Sequence, residues 1–175
     1  MDFAQTRPAA HECSPYYHTY IRLVPDGDIV QTLQAQHAAI HSLLQPVADS
    51  SASLAPAPGE WSIKEVLGHM ADGERIFAYR ALRIARGDTT PLPGFDQDAF
   101  VPPGEFNGRP LRELLAEYVL LRASTLALFR GMPTGAFARV GTASASPVSV
   151  RALVYIIAGH EQHHMESLQT VYLGR

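Results

Sequence analysis

An all-α four-helix bundle is the fold the sequence predicts. Three observations point to it. Four stretches of roughly 20–25 residues repeat apolar side chains at three- and four-residue intervals. No stretch alternates apolar and polar residues in the manner of a half-buried strand. The breaks between the four stretches are rich in Pro, Gly, Ser and Ala. At 175 residues, 46% hydrophobic and 18% charged, the chain can bury a core of its own and lies outside the compositional range of disordered chains.

Residues 1 to about 25 carry Pro8, Pro15, Pro25 and three tyrosines (Tyr16, Tyr17, Tyr20). They read as an irregular arm laid over the bundle by its rings. Asp28, with Gln31 three residues on, resembles a capping box opening a first helix over 28–47, whose inward stripe includes Leu33, Gln36, Ile40 and Leu44. Residues 50–59 are a linker by composition. Ser62 and Glu65 form a second capping box, with Trp61 at the staple position, for a helix over 62–86 that stops at Gly87. The stretch 87–109 reads as a long loop anchored by Phe95, Phe100 and Phe106, with Asp96 and Asp98 exposed at its tip, and loops of this length tend to be lids or binding loops. Pro110 suits the start of a third helix over 110–132. Arg122 falls on its inward stripe, where a charge needs a partner such as Glu74 or Glu117, or else a ligand's carboxylate. A fourth helix spans 148–172.

The function classes narrow quickly. A net charge of −3 without a basic cluster argues against nucleic acid and against an anionic membrane surface as partners. Cys13 is the single cysteine, so no internal disulfide forms, which suits a reducing compartment. The first residues lack a signal peptide's basic end and apolar core, and no apolar run approaches the ~20 residues of a membrane span. A cytoplasmic protein is expected.

The chemistry concentrates in Gly159-His160-Glu161-Gln162-His163-His164. At about 100° per residue, His160, Glu161 and His164 share the apolar face of the fourth helix, and His163 falls off it. Two imidazoles four residues apart stack one turn above the other and can reach one metal ion. A rival pair, His37 and His41, is placed less well: His37 sits in its helix's apolar stripe as a packed histidine, and His41 drifts to the surface. His69 on the second helix is the best third ligand, and Gly73 one turn beyond it leaves space beside the ring. Three neutral imidazoles with an open fourth position suit Zn²⁺ or Ni²⁺ and lower the pKa of a ligated water or thiol. The string His160-Glu161-Gln162-His163-His164 also matches the H-E-x-x-H of zinc proteases, but the position of the next ligand in that pattern holds Thr170.

The segments Trp61-Ser62-Ile63-Lys64-Glu65-Val66-Leu67-Gly68-His69-Met70-Ala71-Asp72-Gly73-Glu74-Arg75, Gly94-Phe95-Asp96-Gln97-Asp98 and Gly159–His164 resemble the DinB/YfiT-like superfamily of metal-binding four-helix bundles. The resemblance spans nearly the whole chain. It implies a ligand set of His69, His160 and His164, the trio that the helical faces nominate independently. It also implies an activity among thiol-dependent S-transferases, a thiol-dependent isomerase and metal-dependent hydrolases, and a homodimer. The expected function is therefore transfer of a low-molecular-weight thiol to a small electrophile, with Arg122 or Arg80 holding a carboxylate. The alternatives are metal-assisted hydrolysis with Glu161 as the base, or a ligand-binding protein with a structural metal.

Overall fold

The computed structural model describes residues 6–174; the first five residues of the expected arm lie outside that range. Four long helices dominate: α1 (Ile29–Leu44), α2 (Ile63–Ala85), α3 (Leu111–Arg130) and α4 (Val150–Ser167). Their starts follow capping chemistry. Asp28 accepts from the N–H groups of Val30 and Gln31, so Gln31 takes part through its backbone. Ser62 and Glu65 close a full capping box on α2, at 2.8 and 3.2 Å. Ser149 accepts from Ala152 at 2.9 Å to open α4. Pro110 is the residue before α3, whose first N–H, from Leu111, is taken by Asp49 at 2.6 Å. Asp49 also pairs with buried Lys64, which ties the starts of α2 and α3 together.

The helices pack as a ring in the order α1, α3, α2, α4. Consecutive helices α1 and α2 lie on one diagonal, and α3 and α4 on the other. Each diagonal is crossed by one of the long connections, which explains why neither is a tight turn. The interior has three layers. One apolar cluster contains Leu33, Phe77, Leu126, Phe129 and the 152–158 stretch of α4. A second contains Ile40, Leu44, Leu67, Met70, Leu115, Tyr118, Met165 and Leu168. Between them, every helix contributes buried polar side chains: Gln36 from α1, His69 and Glu74 from α2, Arg122 from α3, His160 and Glu161 from α4.

Several connections are more ordered than composition predicts. Asp49–Ala52 is a helical turn within the expected linker. The 87–109 stretch is not a structureless loop: Gln97–Gly104 is a short helix, and its N-cap is Asp96, which accepts from Asp98 and Ala99. Phe106 is buried beneath it, whereas Phe100 remains 44% exposed. The connection between α3 and α4 contains an antiparallel hairpin, β1 (Val140–Ala143) and β2 (Ser146–Ser149). Its two turn residues, Ser144 and Ala145, hold positive φ of 50° and 58° without a glycine. Leu92 bridges to this turn, donating to Thr142 and accepting from Ser144, and so holds the strained conformation in place. His37 is half-buried rather than packed in the core, and His41 is exposed. Beyond Ser167, α4 loosens into a π turn over Leu168–Tyr172.

The arm folds into helical turns, Ala10–Glu12, Pro15–Tyr17 and His18–Ile21. Glu12 anchors it to α4 by accepting from Ser149 at 2.7 Å and pairing with Arg151. Cys13 lies buried beneath, its thiol pushed up by desolvation and by Glu12, which makes it unreactive. At Gly159 the backbones nearly touch: a Cβ there would stand 2.1 Å from the carbonyl oxygen of Tyr20. Gly159→Ala should therefore cost about 1–3 kcal/mol of stability and displace the Tyr20 turn. Gly135→Ala, with nothing within 4 Å of its new methyl, should leave the melting temperature unchanged. Thermal melts of the two variants check this.

Candidate metal centre

α2 and α4 face each other across the polar layer, and three imidazoles meet there. The Nε2 of His160 lies 2.9 Å from Nε2 of His69 and 3.1 Å from Nε2 of His164. One ligand atom from each ring falls within 4.8 Å of the others, so the trio could hold a metal ion. Gly73 makes this approach possible. A Cβ at that position would stand 3.3 Å from Cε1 of His160, so the space it leaves is filled by that second imidazole.

The surroundings keep the rings neutral. Burial lowers His69 to about 4, with Asp98 opposing the shift and His163 adding to it. Burial, His69 and His163 lower His164 to about 3. His160, the central ring, is driven well below the ordinary value by burial and then by its neighbouring imidazoles. Neutral imidazoles with converging lone pairs are what a borderline divalent cation requires. Aromatic edges fix the rings: Tyr20 packs 5.4 Å and Phe77 6.2 Å from His160, and Trp61 packs 4.9 Å from His69. His163 is exposed, 5.6 Å from the Tyr20 ring and 5.0 Å from His164.

Glu161 lies 1% exposed, with Oε2 accepting from the Tyr118 hydroxyl at 3.0 Å and paired with Arg122. Its Oε1 is buried without a hydrogen bond. Burial pushes its carboxyl up against the pull of Arg122, and Glu74 adds to the rise. Arg122 is fully buried and grips Glu74 through Nε at 2.9 Å and Nη2 at 2.7 Å, while Nη1 donates to the carbonyl of Leu33 at 3.3 Å. Its partners are thus Glu74 and Glu161. Glu117 instead pairs with Arg75 and Arg109 on the surface, and Arg122 has no donor facing a ligand. Arg80 is also buried, donating to the carbonyl of Pro93 at 2.7 Å and to Ser144 Oγ at 3.1 Å.

Two cavities reach the imidazoles. One of about 400 Å³ is lined by His69 and His160 with Tyr17, Tyr20, Phe77 and Phe95 among its walls. The other, of about 470 Å³, is lined by His164 with Glu60, Trp61, Asp98, His163 and Tyr172. A larger hollow of about 780 Å³, between the end of α1 and the start of α3, includes none of the three rings. The arm tyrosines and Trp61 are the wall residues that helical periodicity could not place, because they lie outside the periodic segments.

The profile of the DinB superfamily matches residues 32–168. The chain belongs to the DinB superfamily. Among solved structures it is similar to YfiT from Bacillus subtilis, described as a probable metal-dependent hydrolase with an unusual four-helix bundle topology. The TM-score is 0.72 at 16% identity, with 98% of this chain and 96% of that one covered. At this identity the likeness concerns the fold. Comparison with curated protein sequences returns no significant match. Among the described residues no helix is long and apolar enough to cross a membrane.

Two predictions follow from the polar layer. Arg122→Leu strands Glu74 and Glu161 in the interior and should cost about 3–5 kcal/mol in urea unfolding. In the metal-free protein, the unfolded chain takes up protons at His69 and His164 from about pH 6.5 downward, whereas the folded chain does so only near 4 and 3. Stability should therefore fall as pH drops from about 6.5 to 4, by on the order of 3 kcal/mol for His69 alone. Urea titrations across this range should show a shallower slope for His69→Gln.

Proposed function

We propose that this protein is a metal-dependent transferase that joins a small thiol to an electrophilic organic molecule. His69, His160 and His164 would hold a divalent ion, with zinc and nickel the best fits to an all-imidazole donor set. Such an ion, when bound, supplies Lewis acidity that ionises a ligated thiol or water near neutral pH. The observation that carries the thiol reading is the commitment of Glu161 to Arg122 and Tyr118. Hydrolysis is assisted by a base beside the ligated water, and the carboxylate nearest in sequence to the imidazoles has its Oε2 held by Arg122 and Tyr118, with Oε1 alone unpartnered. A thiol is a far stronger acid and needs no such base. In the transfer, a sulfur–carbon bond forms as the leaving group departs with its bonding pair, and the thiol proton passes to solvent. The protein's own contribution is to keep the imidazoles neutral and oriented, to exclude bulk water with Tyr20, Phe77 and Trp61, and to present two cavities to one centre.

Metal-assisted hydrolysis is the second reading. It is supported by the description of YfiT as a probable metal-dependent hydrolase on the same fold. Glu161 would then be the base. Glu161→Gln separates the two: loss of a general base costs about 10²–10⁴-fold in rate, while in the transferase reading the substitution leaves Arg122 its pair with Glu74 and thiol coupling persists. Rate measurements on zinc- and nickel-loaded protein, with panels of thiols plus electrophiles and of esters and amides, decide the matter. Thiol coupling that disappears with a chelator and in His160→Ala supports the proposal, and coupling that survives both contradicts it.

A further inference from the structure

The two cavities beside the imidazoles differ in chemistry, and no residue lines both. They follow one another along the bundle axis. On α2 the first lies against Gly73 and Phe77 and the second against Val66, with His69 between. On α4 the first lies against His160 and the second against His163, His164 and Ser167. The start of the Gln97–Gly104 helix forms the partition: Asp96 and Gln97 face the first cavity and Asp98 the second.

The walls select different ligands. The first cavity is bounded by the rings of Tyr16, Tyr17, Tyr20, Phe77 and Phe95, with Asp96 as its one formal charge. Such walls favour a flat apolar molecule. The second is lined by the carboxylates of Glu60 and Asp98, by Ser167, His163 and the Tyr172 side chain, with no lysine or arginine. It favours a hydrophilic molecule carrying a cationic amine.

We propose that the centre has two separate substrate subsites: an aromatic cavity for the electrophile and an acidic cavity for an amine-bearing thiol, both occupied at once. This deepens the transferase reading and rests on it for the word substrate, but the two subsites can be tested without turnover. A single-substrate hydrolase needs only one approach to its metal. Two disjoint cavities of drug-like size on either side of one trio are the arrangement a two-substrate reaction requires, because both reactants are held before chemistry begins.

The test uses zinc-loaded full-length protein and two probes. Cysteamine, a small thiol with an amine, is titrated by calorimetry; 4-fluoroanisole, neutral and without a strong metal ligand, is followed by fluorine NMR. Each probe should bind, and saturating one should leave the dissociation constant of the other unchanged. Asp98→Asn and Glu60→Gln should each weaken cysteamine by about two- to fivefold and leave the fluorinated probe unaffected. Phe95→Ala should do the reverse. Mercaptoacetate, the anionic counterpart, should bind more weakly than cysteamine. Mutual displacement, failure of either probe to bind, or loss of cysteamine binding in Phe95→Ala would overturn the two-subsite assignment. Simultaneous binding without coupling of any thiol to any electrophile would leave the subsites standing and sink the transferase reading instead.

Discussion

A single guanidinium touches all four helices. Arg122, carried by α3, reaches the Leu33 carbonyl on α1, Glu74 on α2 and Glu161 on α4. It has no access to water, so its charge is tolerable only if those partners stay where they are. That requirement fixes the depth and rotation of α2 and α4 relative to each other. Glu74 lies five residues beyond His69, and Glu161 directly follows His160. Locking the two carboxylates therefore aims the imidazoles, and the polar layer that costs the core its continuity builds the centre.

The second constraint is the lack of room above that layer. Gly73 admits His160 and Gly159 admits the backbone of Tyr20. Side chains at either position would push apart the surfaces that exclude water from the rings. Desolvation then does the electrostatic work, holding three imidazoles neutral at pH values where free histidine begins to charge. The same exclusion makes each ring a poor proton acceptor and an available lone pair, which is the condition for binding a cation and the reason the metal-free state is penalised in acid.

Much of this was legible in the residues alone. Helical periodicity placed His160, Glu161 and His164 on one inward face and separated them from His163, because period and burial are coupled in an amphipathic helix. Capping residues marked the starts of α1 and α2 to within a residue. Periodicity failed where no period exists. The hairpin at 140–149 is too short and too rich in small residues to show alternation, and the Gln97–Gly104 helix contains two prolines within an otherwise loop-like composition. The arm tyrosines that wall the centre carry no signal of where they dock. His37 shows the limit of angular counting: it falls on the counted face and yet is only half-buried. Arg122 was recognisable as a charge in need of a partner, whereas Glu161 as one of its partners became visible only in the folded packing, which sets α4 across the core from α3's inward face.

The chemistry of the centre turns on whether the three imidazoles share one ion. The most direct measurement is a crystal structure of the protein purified without added metal, with anomalous diffraction data collected on both sides of the zinc and nickel absorption edges. One anomalous peak within bonding distance of Nε2 of His69, His160 and His164, with no fourth side chain attached, is the predicted result. No peak among the three rings, or an ion whose fourth position is closed by another protein ligand, would contradict an open catalytic centre.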